Sequence, residues 1–171
     1  MSLSDPSRLR LRVEGSGSIY EGVLAVCELY DVPVVTDPGA DLFVLANVQR
    51  IVKAAEYNAP RLGTLCFHPS LLPRHRGRDA VYWTVKMGDT ETGTTWFWVC
   101  DRVDAGPIAA QRRIDVPAGV RPRDLYEDYL VPLGVESFEK LLRQLALGEV
   151  PRVEQDESQA TFELGRPVKT A

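Results

Sequence analysis

The chain has 171 residues, 44% hydrophobic and 26% charged, which suits one globular domain with its own core and leaves little room for two. A formal net charge of −4, with the basic residues mostly scattered, excludes a general nucleic-acid binder, which sets clustered Lys and Arg against phosphates. No apolar run nears the roughly 20 residues that span a bilayer, and cysteines at 27, 66 and 100 suggest neither a disulfide framework nor a zinc site, so a reducing, cytoplasmic setting with no membrane partner and no metal is expected.

In chain order, residues 1–8 are expected to be a disordered tail or a cloning remnant, and "MSLSDPSRLRLRV" lacks the apolar segment of a secretory signal. "RLRLRV" (8–13) alternates as a strand does, and "GSGS" (15–18) breaks it. That break is either a plain turn or an anion cradle at a helix N-terminus, without the spacing of a nucleotide-binding loop. Ile19, Val23, Val26, Cys27 and Tyr30 then recur at helical spacing. "VPVV" (32–35) reads as a short strand and "DLFVLA" (41–46) as a buried parallel one. A short helix is expected in "QRIVKAAEY", then a strand over 62–67.

Beyond a proline-bounded loop, residues 79–88 read as a helix capped by Gly88. Strands at 92–100 and 107–116 flank the turn "DRVDAG", and a long helical tract runs from 122 to 148 with Pro132 inside it. The tail carries at most one short strand, "ATFEL". Strands alternating with helices predict an α/β fold: a single compact domain, its mostly parallel twisted sheet covered by helices on both faces. Sites in such sheets lie beyond the carboxyl ends of strands.

Two polar features fall near such ends. His68 closes the strand "LGTLCF", and Pro69 biases it toward an extended conformation, which holds the imidazole in one direction for acid or base work. Its plain reading is a strand-end histidine bonded to backbone. Asp104, in the turn after "TWFWV", is either a turn aspartate or the carboxylate that orients the imidazole, with Asp101 its solvated neighbour. Cys66 stands two residues before His68, hence on the same strand face. It reads as a buried, inert thiol or as a nucleophile. Trp96, Phe97 and Trp98 read as core. His75 reads as a solvated loop histidine, and Arg74–Arg78 as a cluster able to hold one anion.

These residues resemble the formyltransferase family that uses 10-formyltetrahydrofolate. The resemblance rests on "CFHPSLLPRHRG", "GDTETG", "WFWV" and "VDAG", and covers roughly residues 41–163. It looks closest to the hydrolase domain of 10-formyltetrahydrofolate dehydrogenase, and is also similar to glycinamide ribonucleotide and methionyl-tRNA formyltransferases. The resemblance implies a formyltransferase-like, Rossmann-related domain over 9–163, with a tail at 164–171. It implies an enzyme of one-carbon metabolism, a transferase or hydrolase acting on 10-formyltetrahydrofolate, with His68 and Asp104 catalytic.

It further implies that Leu45, Asn47, Val48, Arg50 and Ile51, with Asp101, Val103 and Asp104, embrace the pterin, and that the partner is a small-molecule formyl acceptor or water. The chain departs from the family pattern in two places. Cys66 replaces the usual Asn, which disfavours transfer to amines. The stretch before "DLFVLA" is shorter than usual, so a shortened N-terminal half is expected, and a homodimer could cover an exposed sheet edge. The alternative is a non-catalytic folate-binding or assembly protein with a degenerate site.

Overall fold

The computed structural model describes residues 9–37, 39–163 and 165; the expected tail at 1–8 and most of 164–171 lie outside them. Five strands form one sheet in the order β1 (Leu11–Gly15), β2 (Leu42–Ala46), β3 (Thr64–His68), β4 (Glu91–Trp98) and β5 (Ile108–Asp115). β1, β2 and β3 run parallel, while β4 and β5 join as antiparallel neighbours, so the sheet is mixed. The interior strand β2, "LFVLA", is buried along its whole length, as a continuous apolar run between two covered faces should be. β5 alternates between buried or half-buried and exposed positions over most of its length and forms the sheet's far edge.

Helix α1 (Gly17–Leu29) follows β1 directly and buries Ile19, Val23, Val26 and Cys27, four of the five residues picked out by helical spacing. The fifth, Tyr30, ends the helix and donates its hydroxyl to Glu139 over 2.6 Å. Gly15 at the head of the "GSGS" turn has a packing reason. A Cβ built there would lie 1.8 Å from the carbonyl oxygen of Ala46 on β2. Ser16 N–H also donates to that carbonyl, so the turn is sealed against β2 rather than held open.

Two expected elements shrink. "VPVV" makes only a parallel bridge between Val34 and Leu11, because Pro33 has no N–H to give a ladder. The helix expected over 49–57 is confined to α2 (Ala54–Tyr57). Helix α3 (Ala80–Met87) ends where expected, with Gly88 at φ 70° as its C-cap. The long tract is a short turn, α4 (Pro122–Asp124), a π turn over Leu125–Leu130 and helix α5 (Val131–Ala146). Pro132 explains the π turn: it cannot donate to the preceding turn, and Val131 N–H instead reaches back five residues to the carbonyl of Tyr126.

α1 and α5 share one core with β1–β4. Its centre is Trp96, 5.3 Å from the Phe67 ring and 5.1 Å from the Phe138 ring by centroid. The indole N–H donates to the Gly134 carbonyl of α5 over 2.9 Å, which satisfies the one polar atom of a fully buried side chain. With Leu65 and Phe67 turned into this core, Cys66 and His68 face the other side of β3. Gly15→Ala should destabilise the domain by about 1–3 kcal/mol through overpacking against the Ala46 backbone, measured by urea unfolding; a loss below about 0.5 kcal/mol would show that β1 and β2 can separate without cost.

Candidate active site

His68 is the last residue of β3 and is buried, 6% exposed. Its Nε2 lies 2.7 Å from the carbonyl oxygen of His75, and its Nδ1 lies 3.6 Å from Oδ2 of Asp104. A carbonyl can only accept, so Nε2 is the nitrogen that carries the hydrogen in that contact. Nδ1 is left facing the carboxylate.

Asp104 does not arrive from a strand end beside His68. β4 is antiparallel to β3, with Thr95 opposite His68 and Trp98 opposite Leu65, so the carboxyl end of β4 lies at the other end of β3. The loop after β4 instead carries Asp104 back to His68. Gly106 makes that return possible, since a Cβ there would meet the Trp98 carbonyl oxygen at 1.7 Å. Asp104 itself adopts φ 49°, a left-handed conformation in which Asp is among the better-tolerated residues. Its Oδ2 accepts the Gly77 N–H over 2.7 Å, and its carbonyl accepts from Gln155 Nε2 over 2.9 Å. Gly77, at φ 91°, turns that N–H toward the carboxylate.

Cys66 sits on the His68 face of β3, half-buried. Burial, with the Asp104 carboxylate as the smaller cause, pushes its thiol far above the ordinary range. The thiol is therefore protonated near neutral pH, which disfavours the nucleophile reading. Cys27 is likewise pushed up, to about 11, by burial alone.

The residues expected to embrace a pterin divide. Leu45 pairs with Cys66 across β2 and β3 and is buried. Asn47, at φ 63°, ties the end of β2 to the α1 turn by donating to the Ser16 carbonyl over 3.2 Å. Val48 is half-buried. Ile51 is 90% exposed and Val103 59% exposed, and Asp101 is exposed. Arg50 is already engaged: it donates to Glu14 over 2.6 and 2.8 Å and to Glu56 over 2.8 and 3.1 Å. That hydrogen bonding, with a further one from the Lys53 N–H, holds the Glu56 carboxyl down to about 2.

Two readings of the loop are corrected. His75 is not solvated; it is 2% exposed, because Asp89 Oδ2 lies 2.7 Å from its Nε2 and Glu163 Oε2 lies 3.1 Å from its Nδ1. The arginines are not a free anion cradle either. Arg74 pairs with Asp89 over 3.1 Å, and the buried Arg76 donates to Gln155 and Glu157 over 2.7–3.1 Å. Gln155, which also donates to the Gly106 carbonyl, was not picked out from sequence. Its only signal was a glutamine inside an otherwise polar tail.

Two surface cavities, of about 350 and 540 Å³, lie beside Arg74–Asp89 and between β5 and α5; neither is lined by His68 or Asp104.

Comparison with known proteins gives the family. The formyl transferase family model matches residues 32–131. The chain belongs to the formyl transferase family. It is 39% identical over 125 residues to mouse mitochondrial 10-formyltetrahydrofolate dehydrogenase, a match covering 73% of this chain and 14% of that protein. It is 34% identical over 124 residues to methionyl-tRNA formyltransferase of Thermotoga sp. (strain RQ2), covering 72% of this chain and 39% of that one. The chain thus spans a small part of the length of the curated relatives it matches.

Among solved structures, glycinamide ribonucleotide transformylase 1 from Symbiobacterium toebii aligns with a TM-score of 0.71 at 23% identity, covering 83% of this chain and 89% of that one. HypX from Aquifex aeolicus, in complex with tetrahydrofolic acid, aligns at 0.81 and 18% identity, covering 94% of this chain and 30% of that one. Both show the same fold.

Two outcomes test the electrostatics. Iodoacetamide labelling at neutral pH, mapped by mass spectrometry, should leave Cys66 unmodified in the native protein; rapid labelling would reveal a thiolate there. The Glu56 carboxyl is held below its ordinary 4.5, so its stabilisation is present above about 4.5 and is lost as pH falls toward about 2. Glu56→Gln should lower Tm slightly at pH 7, change it little near pH 2, and so flatten the fall across that window.

Proposed function

We propose that this domain removes the formyl group of 10-formyltetrahydrofolate at His68 and Asp104, with water as the acceptor. The observation that carries the reading is the pair itself: a buried imidazole whose Nε2 is tethered to backbone and whose Nδ1 lies 3.6 Å from a carboxylate. A tethered ring cannot swing away, and its Nδ1 is kept facing the carboxylate. The bound folate supplies the formyl group and the leaving nitrogen.

His68 then presents its Nδ1 proton to the oxygen that gains charge as the formyl carbon is attacked. Removing one such donor typically costs about 10²–10³ in rate. Asp104 holds the imidazolium, accepts a proton from the attacking water and returns it to the leaving nitrogen, so that formate and tetrahydrofolate leave with atoms balanced. The Gly77 N–H on Oδ2 holds the Asp104 carboxylate in place.

A folate also needs apolar cover for its ring. Ile51 and Val103 hold exposed apolar side chains in the loops that follow β2 and β4, as the faces of a flat ring require. Water is favoured over an amine because Cys66 offers a weak S–H donor where an amide would offer a strong one. Relatives are named both cytosolic and mitochondrial; the proposal here is a cytoplasmic setting.

The test is formate release from 10-formyltetrahydrofolate, followed with and without amine acceptors. His68→Ala and Asp104→Asn should each lower kcat by about 10²–10³, while Cys66→Ala leaves it within a few-fold. Turnover that requires an amine would replace hydrolysis with transfer. Folate binding without turnover, unchanged in His68→Ala, would make the domain a binding module.

A further inference from the structure

The loop between β3 and α3 is held from outside by the distant stretch Thr161–Glu163. Thr161 donates its N–H to the Pro73 carbonyl over 3.1 Å, accepts the Arg76 N–H at its carbonyl over 3.0 Å, and accepts the His75 N–H at its hydroxyl oxygen over 2.8 Å. Phe162 closes on Gly77, the residue that donates to Asp104. His75 thus has its backbone N–H held on one side, while its own carbonyl accepts from His68 on the other.

The side chain of His75 is gripped as tightly. Asp89, in the turn after α3, takes Nε2, and Glu163 faces Nδ1. Arg74 also pairs with Asp89, and Arg76 beyond is spent on Gln155 and Glu157. The Nδ1–Glu163 contact lies off the line of a good hydrogen bond, and neither atom has a hydrogen-bond partner among the described residues. Burial raises the Asp89 carboxyl, but the hydrogen bonds from His75 and Arg74 outweigh it and hold it below the ordinary range. His75 has a φ of 56°, a conformation open to few side chains other than Asn, Asp and His.

We propose that His75 is a positioning residue. Clamped between Asp89 and Glu163, it sets its own carbonyl against His68 and so fixes His68 as the Nε2–H tautomer, with Nδ1 presented to Asp104. The inference rests on the reading of His68 as the proton donor, but its central claim concerns a tautomer that can be observed without folate. A histidine's second nitrogen is set by the bond its first one makes. Here that bond is held by a second histidine seven residues on.

The chain has only two histidines, so long-range proton–nitrogen spectra of the ¹⁵N-labelled protein report both rings without ambiguity. Above the ordinary imidazole range, His68 should show a protonated Nε2 and a bare Nδ1. His75→Ala should blur this into a mixture of tautomers and lower formate release by about 100-fold, as small misplacements of a reacting group do. His75→Asn, which tolerates the positive φ and keeps a donor for Asp89, should restore the single tautomer and most of the rate. Glu163→Gln and Asp89→Asn loosen the clamp from outside and should blur the His68 signal less; they carry the test if His75→Ala does not fold.

A wild-type His68 protonated on Nδ1 when neutral, or a His68 spectrum unmoved by all three loosening variants, overturns the clamp. A clear Nε2–H signature that His75→Ala blurs, in a protein that releases no formate, upholds the clamp and overturns the hydrolase reading instead.

Discussion

One hydrogen bond, from Nε2 of His68 to the carbonyl of His75, ties the candidate site to the fold. It spans only seven residues, yet it needs the whole loop between β3 and α3 to be closed. Ser70 donates to the Arg74 carbonyl, and Thr95 on β4 donates to the Ser70 carbonyl. Gln111 on β5 donates to the Leu72 carbonyl. Thr161 supplies the outer rail. Each carbonyl named here has a donor, which is what a loop pressed onto a sheet must arrange if burial is not to cost more than it returns.

The same economy explains the arginines. A run of basic residues on a loop looks like a ligand cradle when only the local sequence is seen. In the fold, carboxylates from elsewhere neutralise two of them: Asp89 from the turn after α3 and Glu157 from the C-terminal stretch. Arg76 is buried and so must be paired, because an uncompensated guanidinium inside a protein is prohibitive. Its partners lie some eighty residues away in the chain, beyond any local pattern.

This marks the boundary of what was legible in the sequence. Elements with a strong period or a hard stop were readable: the α1 stripe, the all-apolar β2, the Gly88 cap and the aromatic run Trp96–Trp98 as core. His68, Asp104 and Cys66 could be singled out because Pro69, the glycine turn and strand alternation act over a few residues. The antiparallel course of β4 was not readable by the strand-end rule, since that rule presumes parallel strands. Asp104 reaches His68 by a returning loop that only Gly106 permits. His75 was misplaced for the opposite reason: its burial depends on Glu163 and Thr161, whose arrival no local period announces.

The π turn over Leu125–Leu130 has a consequence of its own. Inserting one residue into a helix rotates everything beyond it by about 100°. Leu125 and Leu130 pack with Val81 in a small cluster beside α3, whereas Val131, Phe138, Leu141, Leu142 and Leu145 enter the main core. The extra residue works as a gear shift, letting one continuous segment mesh first with one set of neighbours and then with another. Insertions and deletions in this segment are therefore judged by phase and not by size. Losing a single residue would keep the helix and turn α5 off the sheet, whereas a point substitution of any exposed side chain there would leave both cores engaged.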